Sequence, residues 1–158
     1  MIAGGMMPEL DSHSPTPENP TPLASQYSPW HAAGKDHTAY SRGMQRCSHL
    51  KLVGGTCRLA PGDDDVRAAA AKWQSLFGVK CQDNSLVYTN AKLTFVPGSR
   101  EKSDGLESIT IQFQDEERHD KAIRAAKQAG VWKDSFAEML GLNWNFVLAG
   151  RSVPQSKL

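Results

Sequence analysis

The residues of this chain best suited to hold a small molecule are Arg58, Tyr88, Lys92, Ser108, Thr110, Gln112 and Trp144. The guanidinium of Arg58 and the ammonium of Lys92 are the groups that grip a carboxylate or a phosphate. Tyr88 and Trp144 supply rings with one polar end. Ser108, Thr110 and Gln112 supply neutral donors and acceptors that orient a ligand. Each also reads as an ordinary solvated residue on the outside of a sheet. No catalytic residue can be named. The chain has no G-x-S-x-G elbow, no P-loop and no G-x-G-x-x-G fingerprint. Gly4-Gly5 and Gly54-Gly55 are too short to cradle phosphates.

These side chains need elements to position them, and periodicity supplies the elements. Val66, Ala69, Ala70, Trp73, Leu76 and Phe77 recur at helical spacing and predict a helix over 64–77. Asp63, Asp64 and Asp65 offer its N-cap and complement the dipole, and Gly78 offers the left-handed stop. Ala122, Ile123, Ala126 and Ala129 predict the buried stripe of a second helix over 116–129, capped by Asp115 and stopped by Gly130. Residues 108–114 alternate apolar and polar with the period of a strand, as do 91–96 and 143–148. Shorter strands are expected at 56–60 and 85–88, the latter ahead of a turn at Thr89-Asn90. The alternation turns Ile109, Ile111 and Phe113 toward the helices and Ser108, Thr110, Gln112 and Gln114 away from them.

The pattern occurs twice. Cys57 and Leu59 correspond to Ile109 and Ile111 at a shift of 52 residues, Asp63 to Asp115, and Gly78-Val79 to Gly130-Val131. With one residue lost, Leu93, Phe95 and Val96 correspond to Trp144, Phe146 and Val147. The expected fold is therefore α+β: two repeated βαββ(β) modules, about 55–97 and 107–149, forming a curved mixed sheet with helices on one face. The polar strand faces would then share one cleft.

Around this domain, expected over 47–150, the composition changes. Six of the nine prolines lie in the first 46 residues, a Pro/Ser-rich stretch that reads as a disordered leader. It lacks the apolar core of a secretory signal and is too acidic for a mitochondrial one. Residues 151–158 read as a flexible tail ending Ser156-Lys157-Leu158, a tripeptide that an import receptor recognises as a peroxisomal address. The expected location is the peroxisomal matrix, with the cytoplasm as the alternative. A net charge of +1 gives no electrostatic case for nucleic acid, and no apolar run reaches the ~20 residues of a membrane span. The three cysteines, Cys47, Cys57 and Cys81, form no CxxC pair and read as reduced thiols.

Trp73-Gln74-Ser75-Leu76-Phe77-Gly78-Val79 resembles the W-x-x-L-F-G-V ending of the first helix in glyoxalase-like proteins, the vicinal oxygen chelate (VOC) superfamily. Tyr88 to Gly98 and Asp104 to Ile111 also resemble that family's core. The resemblance covers about 50–150 and implies paired βαβββ modules around a ligand cleft, which a homodimer can complete. It implies binding of a small organic molecule, with lyase, isomerase or epimerase chemistry. The alternative is a metal-free ligand-binding or scaffold protein. Metal-dependent members place His, Gln or Glu on the first and last strands of each module. Here those positions hold Ser108, Thr110, Asn143, Asn145, Thr56 and Arg58, which suit a divalent metal poorly. His49, Glu107 and Glu138 are the remaining candidates, so a divalent cofactor is not favoured. His13, His31, His37 and His119 show no ligand spacing.

Overall fold

The computed structural model describes residues 37–150 and the isolated position 17. The rest of the leader and the tail, with its Ser156-Lys157-Leu158, lie outside the described residues. Helix α1 (His37–Arg46) falls within the stretch read as leader and belongs to a unit of its own that ends at His49. Arg46 in its last turn complements the dipole.

From Leu50 onward the chain runs β1 (Leu50–Arg58), α2 (Val66–Phe77), β2 (Lys80–Gln82), β3 (Ser85–Val87), β4 (Lys92–Val96), β5 (Gly105–Phe113), α3 (Glu116–Gln128), β6 (Ala137–Met139) and β7 (Leu142–Leu148). Its fold is α+β. The strands form one open, mixed sheet in the order β2-β3-β4-β1-β5-β7-β6. β1 runs parallel to β4, and β5 parallel to β7. β1 and β5 pair antiparallel at the centre, and the remaining neighbours are antiparallel.

The helix boundaries follow from capping. The Asp65 carboxylate accepts from the Ala68 amide at 2.9 Å and starts α2. Gly78, at φ 64°, ends it by donating its amide to the Gln74 carbonyl at 2.8 Å. Asp115 accepts from the Arg118 amide at 2.8 Å and starts α3. Two small residues of α2, Ala69 and Ala70, are buried and let the helix approach the sheet closely. Trp73 then lies over Phe95, with ring centroids 5.8 Å apart, and over Phe77 at 5.3 Å. Cys57, Leu59 and Leu86 complete this core, each large buried side chain contributing about 1.5–3 kcal/mol. Leu76, expected in the stripe, is 54 % exposed.

A second cluster forms under α3. Phe113 packs edge-on to Phe146 at 5.5 Å and to His119 at 5.6 Å, and Trp132 lies 5.9 Å from Phe146. His119 is therefore not a surface residue: its side chain is 16 % exposed, and its Nε2 lies 3.4 Å from the Phe146 carbonyl oxygen. An aromatic ring under the first turn drew it inward, whereas the expected Ala129 is exposed.

Two strands were not apparent in the sequence, β2 and β6. Both are three residues long and join their partners by tight two-residue turns with positive φ at Asp83, Leu140 and Gly141. Neither turn carries the Asn-Gly or Asp-Gly signature of a hairpin. β1 also starts earlier than expected, so Gly54 and Gly55 lie inside it, between β4 and β5.

Candidate functional site

Register fixes which side chains share a face. Cys57 pairs with Phe95, and Gly55 pairs with Leu93 and Ile109. Ile109, Ile111 and Phe113 pair in turn with Trp144, Phe146 and Leu148. All of these turn toward the helices. The alternate positions form the face opposite α2 and α3.

That open face is a grid of polar side chains. One row crosses six strands: Ser85, Thr94, Thr56, Ser108, Asn143 and Glu138 are successive partners. Neighbours in such a row lie roughly 5 Å apart. The Ser85 and Thr94 hydroxyls are hydrogen-bonded at 2.8 Å. A second row comprises Val87, Lys92, Gly54, Thr110 and Asn145. A third holds Lys51, Gln112 and Val147. Ser108 is the most enclosed of these at 8 % exposure, yet its hydroxyl is not sealed from solvent and has no partner among the described residues. The side chains of Thr56, Thr110, Gln112, Asn143, Asn145, Lys51 and Lys92 likewise carry no hydrogen bond or ion pair among the described residues.

The residues singled out from the sequence separate into three groups. Lys92, Ser108, Thr110 and Gln112 share the open face. Arg58 also faces that side, but it is engaged: its Nη2 lies 3.0 Å from Glu107 and its Nη1 donates to the Ser103 carbonyl at 2.9 Å. A β-bulge makes this pair. The β1–β5 register shifts between Thr56 and Cys57, leaving Glu107 without a partner residue on β1, and such an insertion re-aims a side chain. Trp144 and Tyr88 lie elsewhere. Trp144 pairs with Ile109 on the helix face and donates its indole N–H to the Met139 carbonyl at 3.0 Å. Tyr88 follows Leu86 by two positions, and its pKa is raised by burial and by the neighbouring Cys57 thiol. The thiol itself is pushed up to about 11 by burial. A buried thiol held protonated is a packing residue rather than a nucleophile.

Two of the three metal candidates are held by cations. Glu107 is committed to Arg58, Glu138 pairs with Lys133 at 3.4 Å, and His49 belongs to the other unit. Among the described residues, no group of three or more His, Cys, Asp or Glu side chains is arranged to hold a metal ion. The open face offers hydroxyl and amide oxygens instead, a donor set that does not fit a divalent transition metal.

Sequence reasoning missed Ser85, Lys51 and Gly54 as members of this face. Ser85 was legible, since it alternates with Leu86 as Thr94 does with Phe95. Lys51 was hidden by a second register shift, between Leu52 and Gly54. No helix among the described residues is long and apolar enough to cross a membrane. No protein-family model matches the chain, and no curated protein matches its sequence.

Proposed function

We propose that the chain is a glyoxalase-like domain that binds a small organic molecule in a cleft over the open face, within the peroxisome. The pairing pattern carries this reading. In each half the first strand is followed by a helix and lies parallel to the last strand of the same half, β1 with β4 and β5 with β7. The two first strands meet antiparallel at the sheet's centre. Two tandem βαββ(β) modules joined edge to edge would produce this order, with a pseudo-twofold axis between β1 and β5. The W-x-x-L-F-G-V ending at Trp73 to Val79 supports the same family.

The face opposite the helices supports binding. Apart from the Ser85–Thr94 pair, its half-buried hydroxyls and amides have no partner among the described residues, and a ligand that satisfies them recovers hydrogen bonds otherwise made only to water. Between the two readings of the site, the neutral donor set favours metal-free binding over metal-assisted lyase, isomerase or epimerase chemistry. Both nearby carboxylates, Glu107 and Glu138, are held by cations rather than poised as bases. The address Ser156-Lys157-Leu158 supports import by a peroxisomal receptor, and a homodimer would close the cleft further.

Amide NMR of the full chain during titration with a library of small oxygenated metabolites tests the site. Shifts gathering at Thr56, Ser108, Thr110 and Asn143 are expected. Shifts confined to the helix face, or none, would overturn the assignment. A fluorescent protein fused at the N-terminus should reach peroxisomes and lose that location when Leu158 is deleted. Unchanged import of the truncated form would refute the address.

A further inference from the structure

The open face is not electrically uniform. At one end, Arg58 and Glu107 neutralise each other at 3.0 Å. At the far edge, Glu138 is paired with Lys133. Near the start of β1 the balance differs. Lys92 flanks Gly54 in the second row, and Lys51 pairs with Gln112 in the third. Both ammonium groups lack a carboxylate partner among the described residues. Between them lies Gly54, where a Cβ would come within 3.3 Å of the Thr110 hydroxyl. A glycine here leaves a notch in the polar floor, bordered by Thr110 and the Lys92 main-chain oxygen, which would lie 3.7 Å from that Cβ.

The geometry points to a small hydroxy-carboxylic acid as the ligand class. The carboxylate sits over the Gly54 notch between Lys92 and Lys51. The hydroxyls of the ligand run along Thr110 and Asn145 and down to Thr56, Ser108 and Asn143. Charge balance calls for an anionic group: the two ammonium groups act as point charges on flexible stems, and the phosphate arm of the test below separates a carboxylate from a phosphate. The neutral floor sets the remainder, because hydroxyls and amides reward a ligand with several alcohols and leave an apolar body with unmet polar groups beneath it. This inference rests on the open face being the ligand site, and it adds what that ligand must carry.

The test titrates the full chain with glycerate, glyceramide and inorganic phosphate, following backbone amides by NMR. Glycerate should give saturable shifts at Gly54, Thr110 and Asn145. Lys92→Met should weaken it by about tenfold, the loss of one charge-assisted contact. Lys92 is exposed, so this variant should fold as the wild type does. Glyceramide should bind far more weakly than glycerate. Equal binding of glyceramide, or no effect of Lys92→Met, would overturn the carboxylate assignment while leaving the open face as the site. Phosphate binding as tightly as glycerate, with Thr110→Val without effect on either, would reduce the site to a generic anion patch and refute the hydroxy-acid class. Silence of the open face toward all three would refute this inference. The wider site assignment would then stand or fall by the library titration.

Discussion

Replacing Gly98 by alanine should damage this fold more than its position after a strand suggests. Gly98 is not among the residues with positive φ, so backbone conformation gives no reason for glycine. The reason is proximity. A Cβ there would lie 1.8 Å from the Ala60 carbonyl oxygen and 2.6 Å from its carbon. Both neighbours are main chain, so no rotamer can relieve the contact. The oxygen would have to retreat from 1.8 Å to beyond 3.0 Å. That movement opens the exit of the parallel β1/β4 pair, where the Leu59 amide bonds the Val96 carbonyl at 3.0 Å and the Gly98 amide bonds the Asp63 carbonyl at 2.8 Å. Overpacking against a rigid surface costs up to about 3 kcal/mol. For a domain of this size that lowers the melting temperature by on the order of 12–24 °C. Thermal and urea unfolding followed by circular dichroism would measure it. Gly55→Ala is the control: its Cβ would meet the flexible Leu93 Cδ1 at 3.4 Å, an ordinary contact, and stability should change by about 1 kcal/mol or less. If Gly98→Ala melts within about 3 °C of the wild type, the close approach of the two strand exits is wrong, and with it the parallel register that the proposed function rests on.

The core and the thiols give two further expectations. Phe95→Ala should cost about 3–5 kcal/mol in urea unfolding, because Phe95 is 1 % exposed between Trp73 and the sheet, whereas Leu76→Ala, at a site 54 % exposed, should be close to neutral. Ellman's reagent at about pH 8 should modify exposed Cys47 in the native chain and reach Cys57 only on unfolding. Burial raises the Cys57 thiol from 9.0 to about 11. Its contribution to stability is therefore complete below about pH 9 and declines as the pH rises toward 11, where only the unfolded thiol ionises. A stability profile flat across that window would contradict the burial.

Local signals carried much of the architecture. Asp65, Gly78 and Asp115 cap the helices where aspartate and glycine chemistry places them, and the alternation over 108–114 sorts that strand's two faces as expected. What escaped was non-local. Nothing near Glu107 announces that its strand will slip by one residue against β1 and aim it at Arg58, so Arg58 read as a free cation. Trp144 looked like a cleft residue because its polar handle suggested one, but register with Ile109 decides its face, and register is not written in a single segment. Nothing local marks Gly98, because the carbonyl that demands a glycine there lies 38 positions earlier, at Ala60. His119 sits on a mostly charged helix, and the Phe113 ring and the Phe146 carbonyl, both non-local, draw it inward.

The sheet ends in β2 and β6, each of three residues and each carrying charge, Lys80 on one and Glu138 on the other. A border this brief exposes few unsatisfied amides and carbonyls to a passing strand. Runaway polymerisation through the borders is accordingly disfavoured, and the molecule should stay dispersed at concentrations where a longer, flatter rim would begin to form fibres.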